Sequence, residues 1–214
     1  MSGSPARPMG TSWAEHLLFF RHWLRSPLGI GALLPSGRAV ARAMARELPA
    51  RRSGTVLELG GGTGALTQAL LEAGCAAGDL VVVEREAALA AALRQRFPFL
   101  SIVEADARNV GTVLAELGIA PLAGVVSSLP IKWFELADQR LVVDGCFANM
   151  TAEGAFLQLT NALVSPLPMR ALGIQGVEVA RIWTHFPPVQ IWRYRRPTGS
   201  GPAGSGPAGV GDAP

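Results

Sequence analysis

The sequence predicts one α/β domain whose sheet is mostly parallel and ends in an antiparallel hairpin. Short apolar runs alternate with longer helical segments over residues 53–196, which is typical of strands joined by helical crossovers. The first apolar run ends in glycines that open a helix. The last two β-rich runs are separated only by Thr-His-Phe-Pro-Pro-Val, which indicates a hairpin.

Seven strands and the helices between them can be placed in order. The predicted strands cover residues 55–59, 80–84, 101–104, 124–127, 155–159, 178–183 and 190–194. The predicted helices cover residues 12–25, 36–48, 65–73, 86–97, 110–117, 136–150 and 168–172. We therefore divide the chain into a helical amino-terminal segment (1–52), an α/β domain (53–196) and a Gly/Pro/Ser/Ala-rich tail (197–214), for which disorder is predicted.

Composition is typical of a globular protein. Hydrophobic residues make up 49% of the 214 residues and charged residues 16%, and no apolar run approaches the ~18–20 residues that span a bilayer. The first ten residues lack the apolar core of a signal peptide. Cys75 and Cys146 have no CxxC spacing, so we expect buried thiols in a reducing compartment, no metal site and a cytoplasmic protein.

Basic charge is concentrated toward both ends of the chain. Residues 1–52 carry eight Arg against two Glu, a net charge of +6, and residues 181–214 carry +3. Residues 53–180 carry −6. This distribution favours contact with an anionic surface, either phospholipid or nucleic acid.

A glycine-rich loop follows the first predicted strand. In Glu58-Leu59-Gly60-Gly61-Gly62-Thr63-Gly64 an acid stands two residues before a GxGxG run. Glycines there permit a tight turn and a close approach of the backbone to a ligand. The spacing is not the GxGxxG of dinucleotide sites, and no Gly-Lys-Ser/Thr follows. The loop therefore predicts a cofactor without a diphosphate, the alternative being a turn without a ligand.

Carboxylates follow the next two predicted strands. Glu84 ends the second strand and can accept both hydroxyls of a ribose, while Asp106 lies just beyond the third. Asp106 can accept the exocyclic amine of adenine while the neighbouring backbone contacts the ring. Because the carboxyl ends of parallel strands share one edge, we expect both acids at a single crevice.

These motifs resemble those of the class I S-adenosylmethionine-dependent methyltransferases over about residues 55–196. The resemblance implies a Rossmann-like, seven-stranded fold, S-adenosylmethionine as cofactor and S-adenosylhomocysteine as by-product. It implies that the loop glycines pass under the methionine part, that Glu84 holds the ribose and that Asp106 with Ala107 binds adenine. The cofactor residues so implied are Glu58, Gly60, Gly62, Gly64, Glu84, Asp106, Ala107 and Ser127.

The segment after the fourth strand, Ser127-Ser128-Leu129-Pro130, resembles the Asn/Ser-Leu/Pro-Pro loop of the amine and rRNA adenine branches of that family. The resemblance implies that Ser127, Leu129 and Pro130 mark the site of methyl transfer. Nucleobase methylases usually place an aromatic residue directly after the proline. Here Ile131 follows instead, which counts against nucleic acid. No dedicated base is evident, and core or surface roles are expected for His185 and Tyr194.

The predicted helix 12–25 is amphipathic. One face carries an aromatic and aliphatic stripe, and the other face carries Arg. The residues concerned are Trp13, Leu17, Phe20, Arg21, Trp23, Leu24 and Arg25. This pattern is typical of a helix that lies among lipid headgroups. By pattern alone, an ordinary helix packed on its own domain is the alternative.

Taken together, FFRHWLRSPLGIGALLPSGRAVARAMA, LELGGGTGALTQALL, SSLP and RIWTHFPPVQIWRYRR look like the bacterial phosphatidylethanolamine N-methyltransferases of the peripheral type. The chain departs from that pattern at Gly61, where many relatives have proline. The resemblance implies methylation of phosphatidylethanolamine towards phosphatidylcholine, by an enzyme bound peripherally to the anionic inner face of the cytoplasmic membrane.

Two other functions stay open on the sequence. An rRNA adenine N6-dimethyltransferase would share both loops, but we expect an aromatic residue after Pro130 and a second, helical domain after Tyr194 in such an enzyme. A binding module that kept the fold without catalysis is the other. No nucleic-acid partner is expected, and the sequence does not indicate an oligomeric state.

Overall fold

The computed structural model describes residues 35–48, 54–183 and 188–197. The predicted docking helix 12–25 with its seven docking residues lies outside these ranges, as do His185 and the predicted tail beyond Pro197. The division of the chain into three parts therefore stays a prediction.

Seven strands are present in the described ranges: β1 (Thr55–Leu59), β2 (Leu80–Glu84), β3 (Ser101–Glu104), β4 (Leu122–Ser127), β5 (Phe156–Thr160), β6 (Gln175–Ile182) and β7 (Val189–Arg195). The helices are α1 (Pro35–Glu47), α2 (Ala65–Glu72), α3 (Ala87–Arg96), α4 (Val110–Glu116), α5 (Leu136–Ala148) and α6 (Met169–Leu172). The sequence predicted each of these elements, with ends that differ by at most three residues. It did not predict three 3₁₀ turns, at Ala77–Asp79, Ala107–Asn109 and Ile131–Trp133.

The strands form one sheet in the order β3-β2-β1-β4-β5-β7-β6. All pairings among β1 to β5 are parallel, whereas β7 runs antiparallel to both of its neighbours, β5 and β6. The Rossmann-like sheet with an antiparallel terminal hairpin is therefore confirmed. Within the hairpin, β6 forms the edge and β7 is inserted beside β5.

Helices cover both faces of the sheet because the central strands are apolar on both sides. α1, α2 and α3 pack on one face, and α4, α5 and α6 on the other. Val40, Ala41 and Met44 of α1 are fully buried, and Glu47 at its end pairs with Arg193 of β7 at 2.6 Å. α1 is thus packed into the α/β domain.

The carboxyl ends of β1, β2, β3, β4 and β5 lie at the same edge of the sheet, since these strands are parallel. β6 also points this way, because it is antiparallel to β7, which is antiparallel to β5. Ligands of open α/β sheets bind at this edge. The loops that follow these strands therefore form the candidate site.

Candidate functional site

The loop after β1 depends on glycine. Gly60, Gly62 and Gly64 have φ angles of 81°, 53° and 79°, a region that residues with a side chain rarely adopt. A Cβ on Gly64 would lie 2.6 Å from Cε2 of Phe97, and one on Gly60 would lie 2.9 Å from Cδ2 of Leu129. The three glycines of the GxGxG run are thus required by backbone conformation, and two of them also by packing.

Gly61 is required by packing alone. A Cβ at this position would lie 2.5 Å from Cγ1 of Val82 and 2.8 Å from Cδ1 of Leu93. The proline found in the family that the sequence resembles would not fit here without a shift of Val82. A side chain at position 61 therefore requires Val82 and Leu93 to shift.

Glu84 connects the glycine loop to β2. Its Oε2 accepts a hydrogen bond from the backbone N–H of Gly62 at 2.9 Å, and its Oε1 accepts one from Glu86 N–H at 2.8 Å. The side chain is largely buried, and Ala105 N–H donates to the Glu84 carbonyl at 3.1 Å. Glu84 is therefore fixed at the crevice by the backbone of three separate segments.

Glu58 lies beneath the loop and is fully buried. Neither of its carboxyl oxygens, nor the hydroxyl of the nearby Thr67, forms a hydrogen bond of good geometry within the described ranges. Burial raises the pKa of Glu58 to about 8, the charge of Glu84 adds to the rise, and the proximity of Thr67 only partly opposes it. Burial thus favours the protonated form of Glu58, and its two oxygens have unused hydrogen-bonding capacity.

Asp106 lies beyond β3 and caps the 3₁₀ turn that follows. Its Oδ1 accepts from the backbone N–H of Arg108 at 2.9 Å and from Nε of the same residue at 3.0 Å, and its Oδ2 accepts from the Arg108 guanidinium at 2.7 Å. Hydrogen bonding by Arg108 holds the pKa of Asp106 below its usual value. Ala107 beside it is buried against apolar side chains. That Arg108 binds this carboxylate was not predicted from the sequence.

The loop after β4 contacts the glycine loop directly. Ser128 Oγ donates to the Gly60 carbonyl at 2.9 Å, and Ser128 N–H donates to the Leu59 carbonyl at 3.2 Å. Ser127 is fully buried, and its Oγ accepts from Leu129 N–H at 3.3 Å. The structure therefore brings together residues 127–130, which we call the transfer loop, and the glycine loop 58–64, which we call the cofactor loop.

Two buried glutamines donate hydrogen bonds to backbone carbonyls of the transfer loop and of the turn that follows it. Gln158 of β5 donates from Nε2 to the Leu129 carbonyl at 2.9 Å. Gln139 of α5 donates from Nε2 to the Ile131 carbonyl at 3.0 Å and to the Phe134 carbonyl at 3.1 Å. Sequence reasoning missed both residues. The available signal was Gln158 itself, a single amide within the otherwise apolar run Phe156–Leu159.

Ile131, Trp133 and Tyr194, which bear on whether the site has a stacking residue or a base, differ in burial. Ile131 is buried in the core, whereas Trp133 is exposed beneath the Lys132 ammonium, 4.4 Å from the ring centre. Tyr194 is buried and its hydroxyl lies 2.8 Å from Ser165 Oγ. Burial raises the pKa of Tyr194 to about 12. Tyr194 is thus a core residue and a poor base.

Two kinds of feature are absent from the described ranges, a metal-binding cluster and a membrane-spanning helix. No cluster of three or more His, Cys, Asp or Glu suited to a metal ion occurs in residues 35–48, 54–183 and 188–197. No helix in the same ranges has the length and apolarity needed to cross a bilayer. Cys75 and Cys146 are free and buried, and burial raises the pKa of the Cys146 thiol, which disfavours the reactive thiolate.

The chain is 30% identical over 150 residues to the ornithine lipid N-methyltransferase of Singulisphaera acidiphila, and the alignment covers 69% of this chain and 78% of that protein. It is 39% identical over 155 residues to the ribosomal RNA small subunit methyltransferase A of Chlorobium luteolum. That alignment covers 70% of this chain and 53% of the relative, so the chain spans about half of the relative's length.

Among solved structures, the fold is similar to the glycopeptide N-methyltransferase MtfA complexed with S-adenosyl-L-methionine. The TM-score is 0.56 at 18% identity, over 81% of this chain and 99% of that protein. A TehB-like methyltransferase from Corynebacterium glutamicum gives a TM-score of 0.55 at 13% identity, over 84% and 96% of the two chains. No family model matches the chain.

Proposed function

The chain belongs to the class I S-adenosylmethionine-dependent methyltransferases, in the family of the ornithine lipid N-methyltransferase, and on that premise we propose that it methylates the amine of a membrane lipid headgroup. The acceptor proposed is phosphatidylethanolamine, with its mono- and dimethyl forms, and the end product is phosphatidylcholine. One observation carries the lipid assignment: a relative that covers two thirds of this chain is named for N-methylation of a lipid.

The residues at the crevice fit the cofactor. Each oxygen of Glu84 accepts one backbone N–H and keeps a second lone pair for a ribose hydroxyl. Oδ1 of Asp106 already accepts two hydrogen bonds from Arg108. Oδ2 accepts one from the Arg108 guanidinium and lies 3.6 Å from that of Arg85, so it keeps one lone pair for the adenine amine, with Ala107 against the ring. Glu58, with its unpartnered buried oxygens, and the glycines Gly60, Gly62 and Gly64 would lie under the methionine part.

The transfer step requires positioning more than acid–base chemistry. When bound, S-adenosylmethionine supplies a methyl group that its sulfonium already activates. The lipid ammonium must first release one proton to water, and the protein must orient the neutral amine toward that methyl and accept its remaining N–H hydrogens, while S-adenosylhomocysteine is the leaving group. We assign this role to the Ser127 hydroxyl and to backbone carbonyls of the loop through Leu129 and Pro130. Gln158, which donates to the Leu129 carbonyl, supports the loop as a positioning residue.

A lipid acceptor requires that the enzyme reach the bilayer. We propose peripheral binding to the anionic inner face of the cytoplasmic membrane, with the predicted helix 12–25 as one anchor. The net charge of +6 on residues 1–52 supports this, because each basic residue near an anionic surface contributes about 1 kcal/mol.

Methylation of rRNA adenine is the second candidate, since a ribosomal RNA methyltransferase is 39% identical to this chain. Against it, the residue after Pro130 is Ile131, which is buried in the core and unable to stack on a base. The nearest aromatic side chain that is exposed is Trp133. We therefore place rRNA second.

The test uses the purified full chain with methyl-labelled S-adenosylmethionine. It is offered liposomes of phosphatidylethanolamine, liposomes containing ornithine lipid and, separately, undermodified small-subunit rRNA. We expect label in methylated phosphatidylethanolamine, and none with the control variant Glu84→Ala. Label in ornithine lipid alone would show that phosphatidylethanolamine is the wrong acceptor, while lipid N-methylation would stand. Label in rRNA alone would refute the proposal.

A further inference from the structure

Four large apolar side chains are exposed around the carboxyl edge of the sheet. Trp133 lies in the turn after β4, Leu163 and Val164 lie in the loop after β5, and Trp183 directly follows β6. Between 55% and 78% of the surface of each is exposed. Since β4, β5 and β6 point the same way, each of the four follows the carboxyl end of its strand, by one to six residues, and we call them the rim.

The rim extends along several strands of the sheet and is wide enough to contact an extended surface such as a bilayer. Along the sheet, β4 and β6 are separated by β5 and β7, so the two strands that precede the ends of the rim are three spacings of about 4.8 Å, or about 14 Å, apart. Exposed Leu, Val and Trp grouped near a ligand site mark an interaction surface more often than isolated ones do. Trp133 is also three residues from Pro130, at the end of the transfer loop.

A basic side chain lies over the ring of each rim tryptophan, in a cation–π contact. Lys132 Nζ lies 4.4 Å from the ring centre of Trp133, and the Arg181 guanidinium lies 5.6 Å from that of Trp183. Arg181 also pairs with Glu178 at 2.7 Å, whereas Lys132 forms no ion pair with any carboxylate in the described ranges. Tryptophan beside Lys or Arg is suited to the interface of a bilayer, where the ring enters the headgroup layer and the cation meets phosphate.

We infer that the rim is a second membrane-docking surface, which inserts into the headgroup layer around the opening of the transfer site. This inference rests on the proposed lipid acceptor. A headgroup held in its bilayer enters the crevice only if the edge that carries the transfer loop faces the membrane. The rim follows three of the strands that end at that edge, and it belongs to the α/β domain itself, apart from the predicted helix 12–25.

The chain offers matched controls. Phe99 and Leu117 are also exposed, at 62% and 50%, but they precede β3 and β4 and so lie at the opposite edge of the sheet. The double variant Leu163→Ser/Val164→Ser is compared with Phe99→Ser/Leu117→Ser for flotation with vesicles of phosphatidylethanolamine and phosphatidylglycerol. We expect vesicle affinity to fall about tenfold or more in the rim variant and within twofold in the control.

A labelling experiment reports the orientation with an apolar probe in place of the leucine side chain. Cys75 and Cys146 are buried, so a polarity-sensitive fluorophore can be attached selectively to Leu163→Cys or, as the control, to Phe99→Cys. Vesicles should shift the emission of the first probe to the blue and leave the second unchanged. A protein that floats while the Leu163→Cys probe does not shift would overturn the inference, as would equal flotation of the wild type and the rim variant.

Activity toward phosphatidylethanolamine in detergent micelles separates this inference from the proposed function. The rim variant should keep wild-type turnover in micelles and lose turnover on vesicles. If the wild type docks through the rim but methylates no phosphatidylethanolamine in either form, the proposed acceptor is wrong and the docking surface stands. If rim substitution instead converts a dimer to a monomer without changing flotation, the rim is a contact between copies of the chain and the docking assignment is wrong.

Discussion

Replacing Glu58 by Gln should remove a pH dependence of stability that the buried carboxyl imposes. Below its ordinary pKa of 4.5, Glu58 is protonated in both the folded and unfolded chain. Between 4.5 and about 8, the unfolded chain loses this proton while the folded protein keeps it, because burial raises the pKa in the fold. The free energy of unfolding should therefore fall as pH rises through this window, and level off above it.

The magnitude follows from the size of the rise. Each pKa unit corresponds to 1.36 kcal/mol, so an increase from 4.5 to about 8 gives a total on the order of 5 kcal/mol. Urea unfolding at pH 4, 5, 6, 7, 8 and 9 spans the window and measures it. Glu58→Gln, which stays neutral, should show a flatter profile than the wild type, while the exposed-site control Glu116→Gln should follow the wild type. Parallel profiles for the wild type and Glu58→Gln would refute the account of this carboxyl.

Two further predictions concern the cofactor and the transfer loop. Glu84→Ala should lower the affinity for S-adenosylhomocysteine by 10²-fold or more, because two charge-assisted hydrogen bonds of about 1.5–3 kcal/mol each are lost; calorimetry that finds unchanged affinity in the folded variant would remove Glu84 from the ribose site. Gln158→Met, which cannot donate to the Leu129 carbonyl, and Ser127→Ala should each lower kcat about tenfold or more with little change in cofactor affinity. If affinity falls in parallel with kcat, the loop supports the cofactor instead of the amine; the surface variant Gln68→Met controls for a general loss of stability.

The fold was predictable because its signals are local. A buried parallel strand is a short apolar run, and the ends of β1 and β2 are marked in the sequence, by the glycines after Leu59 and by the carboxylate of Glu84. That Glu84 faces the glycine loop also followed, since neighbouring parallel strands end at one edge. Helix and strand ends differed by a few residues, because caps and 3₁₀ turns depend on contacts of single residues.

The parts of the site that escaped prediction depend on contacts distant in sequence or on competition between side chains. Gln158 reaches Leu129, 29 residues earlier in the chain, and no spacing rule connects an amide in a strand with a carbonyl in a loop. Asp106 was predictable as an acid at the crevice, but its engagement by Arg108 arises from side-chain conformation within a tight turn. The insertion of β7 beside β5 is likewise a question of strand order, which hydrophobic pattern does not specify.

The position of β7 also constrains how the chain reaches its folded state. β7 follows every other strand in sequence, yet it fills the space between β5 and β6, so its hydrogen bonds to both neighbours must form before the sheet is continuous. During synthesis, β1 to β5 can associate as they emerge, whereas β6 has no strand to pair with until β7 follows. The emerging chain therefore exposes the unpaired edge of β5, where strands of other molecules can add. Folding speed and aggregation during expression should depend on this last segment more than on the strands of the cofactor site.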